Sequence, residues 1–437
     1  MSKSNYRKFS LFLLTVVYGF NFIDRQIVGI LAPFIQEDLN LSNSQLGLLI
    51  GLAFAAFYTL IAIPIAWLAD RFNRVNILSI SLATWSAFTA LTGIAGSFLQ
   101  IGIARMGVGI GEAGGSPSSH SIISDLYGKE ERAGALGIYS MGIPIGIMAA
   151  YFVTASLIGE SSEQVDWRRI FVVLGGVGIG LAGVVKLVLR EPRRGGRDVS
   201  EGAIIPKSSF KNSIKTLLRI PTWWAMCLGI GFGSFVSYAF SAFQTKYLRI
   251  LDPAFDFQTL LILLGIINGT TYVAGAYFGA RITDKWGLSD IRAYGWVPAI
   301  AILVCLPIGV GSIWVASIAA HLVFVTFFLF FLGLYLGPCF AIAQTLAPIN
   351  MRAMSTALFF FILNMIALGG GPTFTGWLID VFHTGNTELY AMRQALTATC
   401  LFFIPSLISF LVVAKVLPRD WSIAEHRNRD IETLSNQ

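Results

Sequence analysis

Between Phe9 and Phe34 the only charged residues are two neighbours, Asp24 and Arg25. The run is long enough to cross a bilayer, which takes roughly 20 apolar residues. A charge held at that depth costs about 2.5–3.5 kcal/mol on insertion scales, so it is kept only where it meets a partner, a cavity or a substrate path. The run is also too long, and too polar in its middle, for a cleaved signal peptide.

The rest of the chain reads the same way. Of 437 residues, 55% are hydrophobic and 13% are charged, against about 25% charged in soluble domains. Twelve apolar runs follow one another at 9–34, 43–69, 75–97, 99–125, 132–158, 168–190, 221–248, 258–282, 290–310, 313–345, 352–381 and 389–417. The expected fold is an all-α polytopic membrane protein with twelve transmembrane helices in two six-helix bundles. One connection is long, and it contains Pro192, Gly195, Gly196 and Pro206. It gives an N-terminal bundle over 1–190, a cytoplasmic basic linker over 191–220, and a C-terminal bundle with a short tail over 221–437.

Lys and Arg concentrate on the linker's side: Lys3, Arg7, Lys8, Arg71, Arg74, Lys129, Arg132, Arg281, Lys285, Arg292 and Arg352. The opposite loops carry few, so both termini are expected in the cytoplasm. Within the linker, Lys207, Lys211, Lys215 and Arg219 recur every four residues, with Phe210, Ile214, Leu217 and Leu218 between them. That period fits a helix lying in the membrane surface; a solvated basic loop is the simpler alternative.

Several classes are excluded. The net charge of +7 has no basic domain to sit on, so it points to an anionic leaflet and not to nucleic acid. Four dispersed cysteines and four scattered histidines form no disulfide framework or metal spacing. No nucleophile, acid–base pair or cofactor motif converges, so no enzyme and no cofactor are expected.

The two halves echo one another. Asp70-Arg71-Phe72-Asn73-Arg74 follows the second run, and Asp284-Lys285-Trp286-Gly287 follows the eighth; Pro144 and Pro372 lie deep in the fifth and eleventh. Corresponding landmarks in two halves are the signature of a transporter built from repeats. An acid at a helix end beside basic residues can latch neighbouring termini and bias a two-state equilibrium. Asp70, Arg71, Arg74, Asp284 and Lys285 are the gating candidates. The loop resembles motif A of the major facilitator superfamily, with Ala66 where the motif has glycine.

In the fourth run Arg105 and Glu112 lie seven residues apart, two helical turns or about 10.5 Å on one face. Ser116, Ser119 and His120 continue the stripe, and Gly107, Gly111 and Gly115 beside it let another helix approach. The pair either couples to protons or fixes packing. Asp24 and Arg25 point about 100° apart, so one is expected to face a central cavity and the other a neighbouring helix, with Asn21 extending their patch. The second half offers Phe235, Tyr238, Gln344 and Asn364 among many phenylalanines, with almost no central charge. Such a division suits an amphiphile with a charged head.

Over essentially its whole length the chain resembles the spinster family of the major facilitator superfamily. The resemblance rests on Phe22-Ile23-Asp24-Arg25, Ala69 through Arg74, Arg105 through Ala113, Gly142 through Gly146, Trp167-Arg168, and Gly337-Pro338 with Gln344, Pro348 and Met351-Arg352-Ala353. The short tails suggest a bacterial homologue. The resemblance implies transport of lysophospholipids or sphingosine-1-phosphate, coupled to protons through Asp24, Glu112 and Arg105, with Arg25 meeting an anionic headgroup. Substrate contacts are expected from Arg25, Asn21, Ser116, His120, Phe235, Tyr238, Gln344 and Asn364. The expected partners are an amphiphilic lipid, protons and membrane lipids, for a monomer in a bacterial inner membrane. A carrier of small organic anions or drugs is the alternative.

Overall fold

A computed structural model describes residues 3–69, 71–158, 165–193, 210–348 and 351–435. Among them the chain is helical, without strands. The first half comprises α1 (Lys3–Ile30), α2 (Ala32–Leu39), α3 (Asn43–Ile50), α4 (Leu52–Ala69), α5 (Arg74–Gly93), α6 (Phe98–Glu112), α7 (Gly115–Leu126), α8 (Lys129–Ser140), α9 (Gly142–Leu157) and α10 (Trp167–Val188). The remainder comprises α11 (Phe210–Leu217), α12 (Pro221–Leu251), α13 (Phe257–Gly287), α14 (Ala293–Trp314), α15 (Ile318–Leu334), α16 (Leu336–Thr345) and α17 (Arg352–Leu363). A π-helical turn over Asn364–Gly370 then leads into α18 (Gly371–His383), α19 (Glu388–Cys400) and α20 (Phe403–Ser435).

Proline sets most of the interruptions. Pro33, Pro117, Pro144, Pro338 and Pro372 each fall in the first turn of a helix that restarts after a break. A proline ring lacks an N–H and clashes with the carbonyl four residues earlier, yet it is tolerated in a first turn. The break between α3 and α4 has Gly51 instead.

Among the described residues eleven helical stretches are long and apolar enough to cross a membrane. The expected run at 99–125 is the twelfth, and it is cut at Ala113–Gly114 into α6 of 15 residues and α7 of 12. Neither piece reaches crossing length alone. Pro117 and five serines in α7 account for the cut and for its low hydrophobicity.

The chain forms two compact units. The first contains residues 1–200, 241–269 and 372–381; the second contains 201–240, 270–371 and 382–437. One boundary, 200/201, lies inside the expected linker, and the others fall at 240/241, 269/270, 371/372 and 381/382. Parts of α12, α13 and α18 join the first unit because they bond directly to α1, α3 and α9. In the first unit α5 packs between α10 and α6, α1 packs on α9, and α4 on α6. The glycine stripe of α6 is where α5 enters: a Cβ on Gly111 would stand 2.5 Å from the Trp85 backbone nitrogen. In the second unit α14 packs on α15, α19 and α20, and α17 touches α16 and α11. On α11, Leu217 is wholly buried while Lys215 is exposed, as is Arg219 just beyond it. Lys207 and the side chains of residues 210–213 lie outside the described residues.

These contacts separate two kinds of glycine. Gly111→Ala should destabilise the protein by about 1–3 kcal/mol through overpacking. Gly180→Ala, on α10 with nothing within 4 Å of its Cβ, should be neutral or stabilising by up to about 1 kcal/mol. Thermal melts of both variants in detergent check the difference.

Candidate functional site

The charged residues of α1 and α6 come together inside the first unit. Arg25 Nε donates to Glu112 Oε2 at 2.6 Å, and the Glu112 side chain is fully buried. The Arg25 guanidinium also lies over the rings of Tyr58 at 4.4 Å and of Phe22 and Phe54 at 5.2 Å. Aromatic faces attract a cation, more strongly where water is excluded. Arg25 is therefore held by one carboxylate and a wall of rings.

Asp24 and Arg105 are placed differently. Asp24 is 1% exposed, and neither carboxylate oxygen has a hydrogen bond within 3.5 Å, although Thr89 and Trp85 of α5 stand next to it. The nearest charges are Glu112 and Arg105. Arg105 is 3% exposed, its Nε is unpartnered, and its guanidinium lies over Phe54 at 5.1 Å. Glu112 Oε1 near Asn21, Asn21 Oδ1, Trp85 Nε1 near Asp24 and the Ser119 hydroxyl near Tyr139 are also buried with no hydrogen bond within 3.5 Å. Buried polar groups are normally hydrogen-bonded, and each exception calls for an explanation. A cluster of them marks a place where protons, water or a ligand complete the set.

Asp24 and Arg25 meet different helices, Asp24 beside Thr89 and Trp85 of α5 and Arg25 bonded to Glu112 of α6. Both border Glu112, because α1 packs where α6 ends and the carboxylate reaches between them. Glu112 pairs with Arg25 and not with Arg105, since two helical turns separate the two α6 residues. Ser116 is half-buried, and His120 is exposed with its ring edge-on to Tyr139 at 5.2 Å. A small cavity opens between Tyr18, Asn21, Trp85, Ser116, Ser119 and Tyr139.

The four second-half candidates lie in the second unit. Phe235 is 6% exposed and stacks on Phe402 at 4.2 Å. A Cβ on Gly370 would stand 2.9 Å from its ring. Phe235 is thus a packing element of the π turn. Asn364 opens that turn and is buried, Tyr238 is half-buried, and Gln344 is exposed near the end of α16.

The gating candidates also separate. Asp70 lies outside the described residues. Arg71 is exposed, over Trp67 at 3.8 Å. Arg74 is buried: it pairs with Asp125 at 2.5 Å and Glu191 at 2.6 Å, and donates to the Ser121 hydroxyl and the Pro192 carbonyl. It ties the start of α5 to α7 and to the segment after α10, all within the first half. Asp284 accepts from the Tyr294 hydroxyl at 3.2 Å, and Lys285 is exposed. Asp125 and Glu191 were missed in the sequence, where an acid at a helix end looks like an ordinary loop residue.

Comparison with known proteins identifies the family of the fold. The family model described as Major Facilitator Superfamily matches residues 14–372. The chain therefore belongs to the major facilitator superfamily, a class of multi-pass membrane transporters. A crystal structure of a bacterial homolog of the human lysosomal transporter spinster, inward-facing and unoccupied, superposes with a TM-score of 0.87 at 28% identity. That match covers 95% of this chain and 98% of the other. The sphingosine-1-phosphate transporter SPNS2 of Danio rerio is 25% identical, over 90% of this chain and 79% of its own length. An MFS-type efflux pump of Mycolicibacterium smegmatis is 28% identical, over 88% of this chain and 87% of its own. Within the superfamily, the chain is a spinster-family member.

The partners of Arg74 set its role apart from that of Arg71. Arg74→Ala leaves two carboxylates without their cation and should cost roughly 3–5 kcal/mol, with a falling yield of monodisperse protein. Arg71→Ala should stay within about 0.5 kcal/mol. Size-exclusion profiles and melts in detergent compare the two.

Proposed function

We propose that this protein is an alternating-access carrier for a lysophospholipid or related amphiphilic lipid, coupled to protons. The observation that carries the reading is the buried group in the first unit. The Asp24 carboxylate and Arg105 Nε have no hydrogen bond within 3.5 Å, beside a tightly bonded Arg25–Glu112 pair. A carboxylic acid that carries its proton needs no cationic partner; an ionised one needs an arginine or water. Protonation of Glu112 would release Arg25 to an anionic headgroup, and ionised Asp24 would pair with Arg105. The exchange keeps the site's charge balanced while its partners change. The phenylalanine-rich second half, with few central charges, suits an acyl chain. In this reading residues 1–190 and 221–437 form the two halves, 191–220 is a cytoplasmic linker, and both termini face the cytoplasm of a bacterial inner membrane. The carrier works as a monomer.

A second reading, a proton-coupled exporter of organic anions or drugs, is favoured by the similarity to the mycobacterial efflux pump. It would use the same charged group.

Purified protein in liposomes, with labelled lysophospholipid and an imposed pH gradient, tests the first reading. Gradient-dependent movement is expected in the wild type and should be lost in Asp24→Asn. Equal movement in both, whatever the pH, would leave a facilitator and reduce Asp24 to a structural residue. No movement in the wild type would sink the lipid assignment in favour of organic anions. Separately, Glu112→Gln should retain lysolipid binding, because Arg25 is freed, while the affinity stops responding to pH in a fluorescence titration.

A further inference from the structure

Asp380, outside the charged centre, is bonded to the start of α3. The first N–H groups of a helix have no acceptor within it, and here each of the first three has one outside. Gln45 N donates to the Ser42 hydroxyl, and the Gln45 side chain accepts from Ser42 N, closing a capping box. The two remaining donors, Asn43 N and Ser44 N, go to Asp380, one to each oxygen, at 3.0 and 2.7 Å. Asn43 Nδ2 at 2.9 Å and the Ser44 hydroxyl at 2.5 Å complete four bonds to that carboxylate.

Asp380 belongs to α18, far along the chain. The cap of a first-half helix is thus supplied by a second-half helix. The backbones meet closely: a Cβ on Gly376 would stand 3.2 Å from the Gly47 Cα, and one on Gly47 would stand 3.3 Å from the Gly376 Cα. Thr373 Oγ1 accepts from Leu52 N and donates to Gly47 O. From α12, Lys246 Nζ, 5% exposed, donates to Asn43 Oδ1 at 2.5 Å. Bonds from helix-terminal N–H groups to a carboxylate combine an ionised acceptor with the positive end of the helix dipole.

A second aspartate makes the contrast. Asp420 accepts from Thr222 N and its hydroxyl at 3.0 and 2.7 Å, capping α12 from α20, within the second half of the chain. Asp420 can keep its bonds whatever the halves do. Asp380 cannot.

We propose that Asp380 is a positioning residue of the transport cycle. Its carboxylate holds the ends of the second and eleventh spans together on the face opposite the basic loops, and opening of that face withdraws it from the α3 terminus. The freed carboxylate and the two N–H groups are then met by water, which enters only as the face opens. The inference rests on the alternating-access reading but on no particular substrate.

Thr245 on α12 is fully buried, and its hydroxyl has no partner, so Thr245→Cys is a mild reporter of opening. In right-side-out vesicles, a membrane-impermeant maleimide should label Thr245→Cys about tenfold faster when Asp380→Ala is added, given the strength of bonds to a charged group. Asp380→Asn, which keeps the size and one acceptor, should give a smaller rise and serves if the alanine variant folds poorly. Asp420→Ala should leave the rate unchanged. Unchanged labelling in both Asp380 variants, or an equal rise from Asp420→Ala, would overturn the proposal. Because labelling needs no substrate, a shift here with no lysolipid movement would uphold the latch and reject only the lipid reading.

Discussion

A guanidinium and a carboxylate 2.6 Å apart, away from water, join α1 to α6. Such a pair gains little net stability over apolar packing, yet removing either member leaves a costly buried charge. It therefore fixes arrangement more than it adds stability. Its neighbours extend the constraint. Asp24 stands beside α5, Arg25 holds Glu112 on α6, and Gln26 bonds Ser241 on α12 at 2.9 Å. Three consecutive residues, each turned about 100° from the last, register one helix against three others. A small rotation of α1 would disturb all three contacts at once. Chemistry at Glu112 is thereby connected to an element from the second half of the chain.

Much of this was legible in the sequence, for a simple reason. Charges in apolar runs are rare because they are expensive, so Asp24, Arg25, Arg105 and Glu112 stood out. The apolar runs themselves marked the spans. Pairings were less legible. Whether Glu112 meets Arg105 or Arg25 depends on where α6 ends and how α1 crosses it, and neither is written in the spacing. Arg74 looked like a loop cation, but its partners Asp125 and Glu191 come from distant helix ends. Asp380 was missed altogether. A lone acid near the end of an apolar span has no local signal that it caps another helix.

Glycine and proline divide the remaining labour. Glycines at 107 and 111 admit α5 against α6, and Gly142 and Gly146 admit α1 against α9. Five prolines sit in turns that restart helices, where the missing N–H costs least, while Pro64, Pro298, Pro307 and Pro418 lie inside helices. Close packing and broken helices are thus written by different residues. Both are compatible with a bundle whose backbone groups must find partners away from water.

The cut in the fourth span bears on how such chains are counted. Among the described residues eleven helical stretches are long and apolar enough to cross, because α6 and α7 are each too short and carry the polar residues of the charged stripe. An odd number of crossings would put the two ends of the chain on opposite sides of the membrane. Counting α6–α7 as one crossing makes the number even, as the proposed placement of both ends on one side requires. The proline and serines of this segment cut its helix in two, so a count of long apolar helices passes over a crossing that the apolar run at 99–125 shows in the sequence.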